Sequence, residues 1–234
     1  MGTAISIEVA EPCPQSVLEA AFDWFREVDA RFSTYRTDSE TCRLDRGEVA
    51  EPSPDMRHVL SACDDLRAPT HGYFDAYATG RFDPSGYVKG WSVQVAADRL
   101  RAAGIVNCCI NAGGDISARG GGPDGTGWRI GILHPWQSDR VAWVVTGTDL
   151  AVATSGTYER GGHVIDPFRG EPATFLRSVT VTGADLALAD AYATAAVAMG
   201  ERGIDWLAGL DGYECAVVTE TGDAYVSDGF PVAS

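Results

Sequence analysis

The chain has 234 residues, 45% of them hydrophobic, enough for one substantial core. Thirty-three acids against 18 bases give a formal net charge of −15, which argues against nucleic acid or an anionic membrane as a partner, since both need a basic face. Six cysteines without CxxC or zinc spacing point to small core residues in a reducing compartment.

Ile5, Ile7 and Val9 alternate with Ser6 and Glu8, which predicts a half-buried strand over Thr3 to Val9. A helix follows, with Ser16 as N-cap, Glu19 completing a capping box, and Val17, Leu18, Ala21, Phe22, Phe25, Val28 and Phe32 recurring at helical spacing to about Arg31. Ser33 to Ser39 has no period. It is a solvated loop, or it offers Tyr35 as an aromatic platform with Arg36 beside it for a base or phosphate. Pro54 to Ala68 is a second helix. Thr70 to Gly86 is a loop in which Phe74 and Phe82 each precede an acid.

Val88 to Ala103 is helical again, stopped by Gly104. Lys89 falls in its first turn, where the helix dipole disfavours a cation. It is an exposed lysine, or it holds an anion there. Cys108 to Ile110 is a short buried strand, with Cys108 and Cys109 on opposite faces. Asn111-Ala112-Gly113-Gly114-Asp115-Ile116 follows. Its glycine pair is a tight turn, or it brings main-chain N–H groups against a phosphate or ribose.

Gly120 to Gly127 reads as a hairpin loop. Trp128–Leu133, Val141–Thr146 and Leu150–Ala153 read as successive antiparallel strands. His163 precedes Val164, Ile165 and an Asp-Pro turn, and a lone histidine is structural or functional. Ser178 to Thr182 is a strand. Asp185 caps an alanine-rich helix from Leu186 to Met199 that is apolar nearly all round, so Asp190 within it needs a partner. A backbone N–H or an arginine would serve. So would a hard divalent cation, which would also take the Thr194 hydroxyl on the same face. The scarcity of nearby bases favours the cation. A short helix over Ile204–Leu210 and a hairpin of Ala216–Thr219 with Ala224–Val226 finish the chain. The expected fold class is α+β, one compact unit over residues 1–234 with mainly antiparallel sheet and packed helices. Walker A, G-x-G-x-x-G and G-x-S-x-G motifs are absent.

In chain order, Met1-Gly2-Thr3, Phe32-Ser33-Thr34-Tyr35-Arg36, Phe74-Asp75, Asp83-Pro84-Ser85-Gly86 with Val88-Lys89-Gly90, Asn111 to Ile116, Ala153-Thr154-Ser155-Gly156 with Tyr158-Glu159-Arg160, His163 to Pro167, and Asp190-Ala191 with Thr194 together resemble the ApbE family of FAD:protein FMN transferases. The resemblance runs along nearly the whole chain. It implies FAD contacts at Met1, Tyr35, Phe74, Asp75, Lys89, Val164 and Ile165, with the Gly113-Gly114-Asp115 turn close to the dinucleotide. It implies a magnesium site from the Gly86 carbonyl and the Asp190 and Thr194 side chains, and His163 as the catalytic histidine. The implied reaction is transfer of FMN from FAD to a threonine or serine hydroxyl of an acceptor protein, with AMP released. The alternatives are an FAD pyrophosphatase and a non-catalytic FAD carrier.

The chain departs from the family pattern between Asp75 and Asp83, which are only eight apart where larger members carry a long insertion. Many family members are exported lipoproteins. No signal or lipid-acceptor cysteine opens this chain, so the expected location is cytoplasmic, unless an N-terminal segment was removed.

Overall fold

The computed structural model describes residues 3–157 and 164–233. A seven-stranded sheet has the order β1-β2-β3-β6-β9-β10-β11, and each neighbouring pair is antiparallel. Its strands are β1 (Ile5–Val9), β2 (Cys108–Ala112), β3 (Asp115–Arg119), β6 (Leu150–Gly156), β9 (Leu176–Gly183), β10 (Glu214–Thr219) and β11 (Ala224–Val226). A separate ribbon pairs β4 (Trp128–His134) with β5 (Gln137–Gly147), and a two-residue ribbon pairs β7 (Ile165–Asp166) with β8 (Glu171–Pro172). The helices are α1 (Gln15–Phe32), α2 (Glu40–Asp45), α3 (Pro54–Asp65), α4 (Ser85–Ala102), α5 (Leu186–Met199) and α6 (Arg202–Ala208). None of the described helices is long and apolar enough to cross a membrane.

The two faces of the sheet are covered differently. Cys108, Ile110, Ala112, Ala151, Ala153, Val179, Val181 and Val217 pack with α4 and α5 in one core. Ile116, Ala118, Val152 and Ala216 face the other way and are covered by Trp128, Ile130, Ile132 and Val145 of the β4–β5 ribbon. Adjacent strand residues point to opposite faces. Cys108 accordingly lies in the first core while Cys109 packs against the second, as expected. Because both faces of β3 are covered, all five of its residues are buried, the polar Asp115, Ser117 and Arg119 included.

α5 matches its expected bounds, and the Asp185 carboxylate accepts the Leu188 N–H at 3.0 Å at its start. Its alanines keep it thin enough to lie between the sheet, α4 and α6. Where Gly90 of α4 crosses it, an added Cβ would stand 2.5 Å from the Leu186 carbonyl oxygen, so only glycine permits that approach.

Three local expectations fail. α1 begins at Gln15 with Pro14 in the cap position and no side-chain cap, so Ser16 is inside the helix and there is no capping box. α4 begins at Ser85, three residues before the expected start, which puts Lys89 beyond its first turn. Asp83 accepts the Ser85 N–H at 3.0 Å, a start signal hidden behind Pro84. Gly120 to Gly127 does not join a hairpin: β3 pairs with β2 and β6, while β4 pairs only with β5. The edge of β3 is taken by β6, which returns to the sheet after the ribbon, so Leu150–Ala153 pairs with β3 and β9 and not, as expected, with Val141–Thr146.

Candidate functional site

A cavity of about 270 Å³ opens where α4 and α5 meet the loops after α1 and before α4. Ser33, Thr34 and Tyr35 form one wall. The Ser33 carbonyl accepts the Ser39 hydroxyl at 2.7 Å, which folds the loop back on α1 and leaves Tyr35 88% exposed at the rim. Arg36 is turned to Asp38 at 3.1 Å and does not line the cavity.

The second wall is the loop from Tyr73 to Thr79. Phe74 is buried, and its N–H donates to the Thr70 hydroxyl at 3.1 Å. That anchor fixes the neighbouring Asp75, whose carboxylate accepts the Tyr77 N–H at 2.9 Å. The Asp83 N–H donates to the Ala76 carbonyl at 2.7 Å and closes the loop into the start of α4. Ser155 of β6 and the pair Val164 and Ile165 complete the lining.

The deepest part is polar. Gly86 and Gly90 are four apart on α4, and Asp190 and Thr194 are four apart on α5, so each pair shares a helix face. The two faces meet. A Cβ on Gly86 would lie 3.0 Å from the Thr194 hydroxyl oxygen, and one on Gly90 would lie 2.9 Å from the Asp190 Cβ. Gly90 N–H donates to Asp190 Oδ2 at 3.0 Å, while Asp190 Oδ1 has no hydrogen-bond partner. Ser155 and Thr194 share a hydroxyl contact at 3.3 Å.

Asp190 is 1% exposed, and its carboxyl is held well above the usual carboxylate range. Burial is the main cause. The neighbouring Asp115 carboxylate adds to it and the Lys89 ammonium opposes it. Asp115 is fully buried, and Lys89 Nζ lies 2.9 Å from its Oδ1. Two buried carboxyls thus lie close to each other and to one ammonium.

This donor set fits a hard divalent cation. An orphaned carboxylate oxygen, an adjacent hydroxyl and a glycine backbone brought against that hydroxyl are oxygen ligands of the required kind. Among the described residues no three or more histidines, cysteines or acids gather as a metal cage. A sparse oxygen set of this kind suits magnesium, which keeps waters and substrate phosphates in its shell.

Of the residues singled out in the sequence, Tyr35, Phe74, Asp75, Gly86, Lys89, Val164, Ile165, Asp190 and Thr194 line this one cavity. Gly113, Gly114 and Asp115 do not. Gly113 and Gly114 have φ of +61° and +96° and make the tight turn between β2 and β3, where a Cβ on Gly113 would meet the Thr3 hydroxyl at 2.1 Å. Asp115 reaches the site from behind, through Lys89 and against the Asp190 carboxyl. Met1 and His163 lie outside the described residues. Gly90 and Ser155 fall within motifs singled out in the sequence, but sequence reasoning gave neither a role at the site. The i, i+4 match of Gly86 and Gly90 to Asp190 and Thr194 was the available signal for the former.

The family model described as "ApbE family" matches residues 1–82 and 76–217. An FAD:protein FMN transferase of Vibrio cholerae is 39% identical over 130 residues, covering 51% of this chain and 39% of the relative. One from Treponema pallidum is 31% identical over 184 residues, covering 67% of this chain and 51% of the relative. The matched region is thus about half or less of these curated relatives' own length. In three dimensions the flavin transferase ApbE from Vibrio cholerae superposes with a TM-score of 0.86 at 26% identity, covering 98% of this chain and 95% of that one. The apo flavinyl transferase ApbE of Pseudomonas stutzeri gives 0.83 at 25% identity, covering 97% and 92%. With the family pattern matched from the first residues through Asp190 and Thr194, this chain belongs to the ApbE family.

Proposed function

We propose that this chain transfers the FMN half of FAD to a threonine or serine hydroxyl of an acceptor protein, in a magnesium-dependent reaction that releases AMP. The observation that carries this reading is the orphaned, buried Asp190 oxygen beside the Thr194 hydroxyl, in the cavity that also holds Lys89 and Tyr35. A protein that merely held a flavin would have no use for a carboxylate kept at such cost inside a helix. The names of the relatives, FAD:protein FMN transferases, support the same choice.

The acceptor oxygen attacks the phosphorus of the FMN half, the bond from that phosphorus to the bridging oxygen breaks, and the bridging oxygen leaves on AMP. The acceptor hydroxyl loses one proton. His163 is assigned as the group that orients this hydroxyl and takes the proton. A bound magnesium ion, held by the Gly86 carbonyl, Asp190 and Thr194, would supply charge neutralisation at the pyrophosphate. Lys89 brings an ammonium, 18% exposed, to the same region. Tyr35, standing out at the rim, offers a face on which an aromatic ring system can stack. Gly90 N–H holds Asp190 by Oδ2 and thereby aims Oδ1. Catalysis here is positioning and charge neutralisation, as for phosphoryl transfer in general. Residues 1–234 act as one unit in this reading.

The test is a product analysis by mass spectrometry. The protein is incubated with FAD and magnesium, with and without an acceptor flavoprotein domain. The expected result is an acceptor mass gain equal to FMN, with AMP formed only when acceptor is present. AMP and free FMN in both tubes would replace the reading with an FAD pyrophosphatase. Intact bound FAD in both would replace it with a carrier.

A further inference from the structure

We infer that Phe168 is a positioning residue for FAD: its ring clasps the β7–β8 hairpin to the Gly72–Tyr73 turn and so holds two walls of the cavity at a fixed spacing. The inference rests on the reading of that cavity as the FAD site.

The hairpin belongs to the site at its base. Val164 and Ile165 line the cavity, and the Ala173 N–H donates to the Val164 carbonyl at 2.9 Å, which ties the two strands together where they leave the core. The tip is a tight turn. The Asp166 carboxylate accepts the Phe168 N–H at 2.9 Å, the Asp166 carbonyl accepts the Gly170 N–H at 2.8 Å, and Gly170 takes a φ of +69°. These bonds fix the direction in which Phe168 leaves the turn. Phe168 is 67% exposed and is not part of the cavity lining, so neither burial in a core nor a place in the cavity accounts for it.

What the ring meets is the opposite wall. Its centroid is 4.8 Å from that of Tyr73, edge to face with the planes at 63°, and its Cζ stands 3.2 Å from where a Cβ on Gly72 would be. Tyr73 lines the cavity and begins the wall that continues through Phe74 and Asp75. The backbone bends sharply to bring it there. His71 has a φ of +53°, unfavourable for a residue with a Cβ, and Gly72 follows at +83°. The Gly72 N–H donates to the Arg67 carbonyl at 2.7 Å and the Tyr73 N–H to the Thr70 carbonyl at 3.0 Å, and these bonds hold the strained bend in place. Two fixed turns, far apart in the chain, thus meet through an aromatic pair. Without the ring the hairpin keeps its base in the core but loses this hold at its tip, and Ile165 and Tyr73 are free to part. FAD must then close the opened form as it binds, which lowers its apparent affinity.

The test reads Phe168→Ala in two ways. FAD affinity, measured by calorimetry with magnesium present and no acceptor, should fall roughly 3- to 10-fold, the factor that one aromatic pair makes in an equilibrium constant. Tryptic cleavage after Arg169, whose side chain is 78% exposed in the hairpin turn, should speed up in the absence of FAD, because cleavage tracks the population of opened hairpin. Since the side chain removed is largely exposed, the variant should fold, with a melting temperature within about 2–4 °C of the parent's. Tyr73→Ala supplies the discriminating background. There the clasp is already broken, so adding Phe168→Ala should cost little further FAD affinity and little further resistance to trypsin. A role for Phe168 independent of Tyr73 predicts the same loss in either background, and that result would overturn the inference. So would unchanged FAD affinity in Phe168→Ala, whether or not cleavage after Arg169 speeds up. A parent protein that binds no FAD would instead overturn the reading of the cavity, and this inference with it.

Discussion

At the scale of single residues, the site is built from side chains whose burial would be unfavourable without a ligand. Asp190 shows this most clearly. Its carboxyl is pushed upward by burial and by Asp115. Replacing it by asparagine removes the buried charge and supplies an N–H₂ group that can donate to Asp115. Asp190→Asn should therefore raise the thermal midpoint of the metal-free protein by a few degrees, since about 1 kcal/mol corresponds to about 2–4 °C at this chain length. The same variant should lose FMN transfer, and melting curves with an activity assay read both signs. Thr194→Val tests the neighbouring ligand. It keeps the side-chain shape and removes one hydroxyl, whose contact with Ser155 is worth about 1 kcal/mol. Transfer should fall roughly 10- to 100-fold, while the melting temperature should fall by only about 2–4 °C.

At the scale of elements, the crossing of α4 and α5 sets the distances. Each helix contributes two residues four apart, and glycine on one side is what lets carboxylate and hydroxyl on the other come close to the backbone. Gly90→Ala would place a Cβ 2.5 Å from the Leu186 carbonyl oxygen, and main-chain atoms cannot yield as a flexible side chain can. The expected cost is about 1–3 kcal/mol in denaturant unfolding, together with weaker cation binding because Gly86 and Asp190 are driven apart. α5 was legible in the sequence because every local signal agreed: an aspartate cap, a run of alanines, a closing glycine. The start of α4 was not, because Pro84 and Gly86 read as loop residues and the capping carboxylate stands one place before the proline.

At the scale of the whole molecule, the antiparallel α+β architecture could be read from alternation and turn spacing, but the order of the strands could not. β6 enters between β3 and β9, and nothing local in Leu150 to Gly156 encodes that choice. The same limit explains Asp115. Its motif was legible, while its direction, toward Lys89 and Asp190 from behind the cavity lining, depends on both faces of β3 being covered by elements distant in sequence. The cores themselves carry a pH signature. Burial pushes the Cys63 thiol up to about 12 and the Cys108 thiol up to about 11 from the ordinary 9.0. The unfolded chain then loses these protons first. Stability is fully present below pH 9 and declines as pH rises from 9 through 11 to 12. Melting temperatures at pH 8 and pH 10.5 should show the drop, and replacing both thiols by alanine should shrink the difference.

The central claim is that Gly86, Asp190 and Thr194 hold a divalent cation against FAD in the cavity that Tyr35 and Lys89 border. Its most direct test is a crystal structure of the protein soaked with FAD and manganese, with data collected to reveal anomalous scattering. The account predicts a manganese peak at about 2.0–2.3 Å from Asp190 Oδ1, the Thr194 hydroxyl and the Gly86 carbonyl, and in contact with the FAD pyrophosphate. FAD bound with no anomalous peak between α4 and α5, or a peak only elsewhere on the molecule, would contradict it.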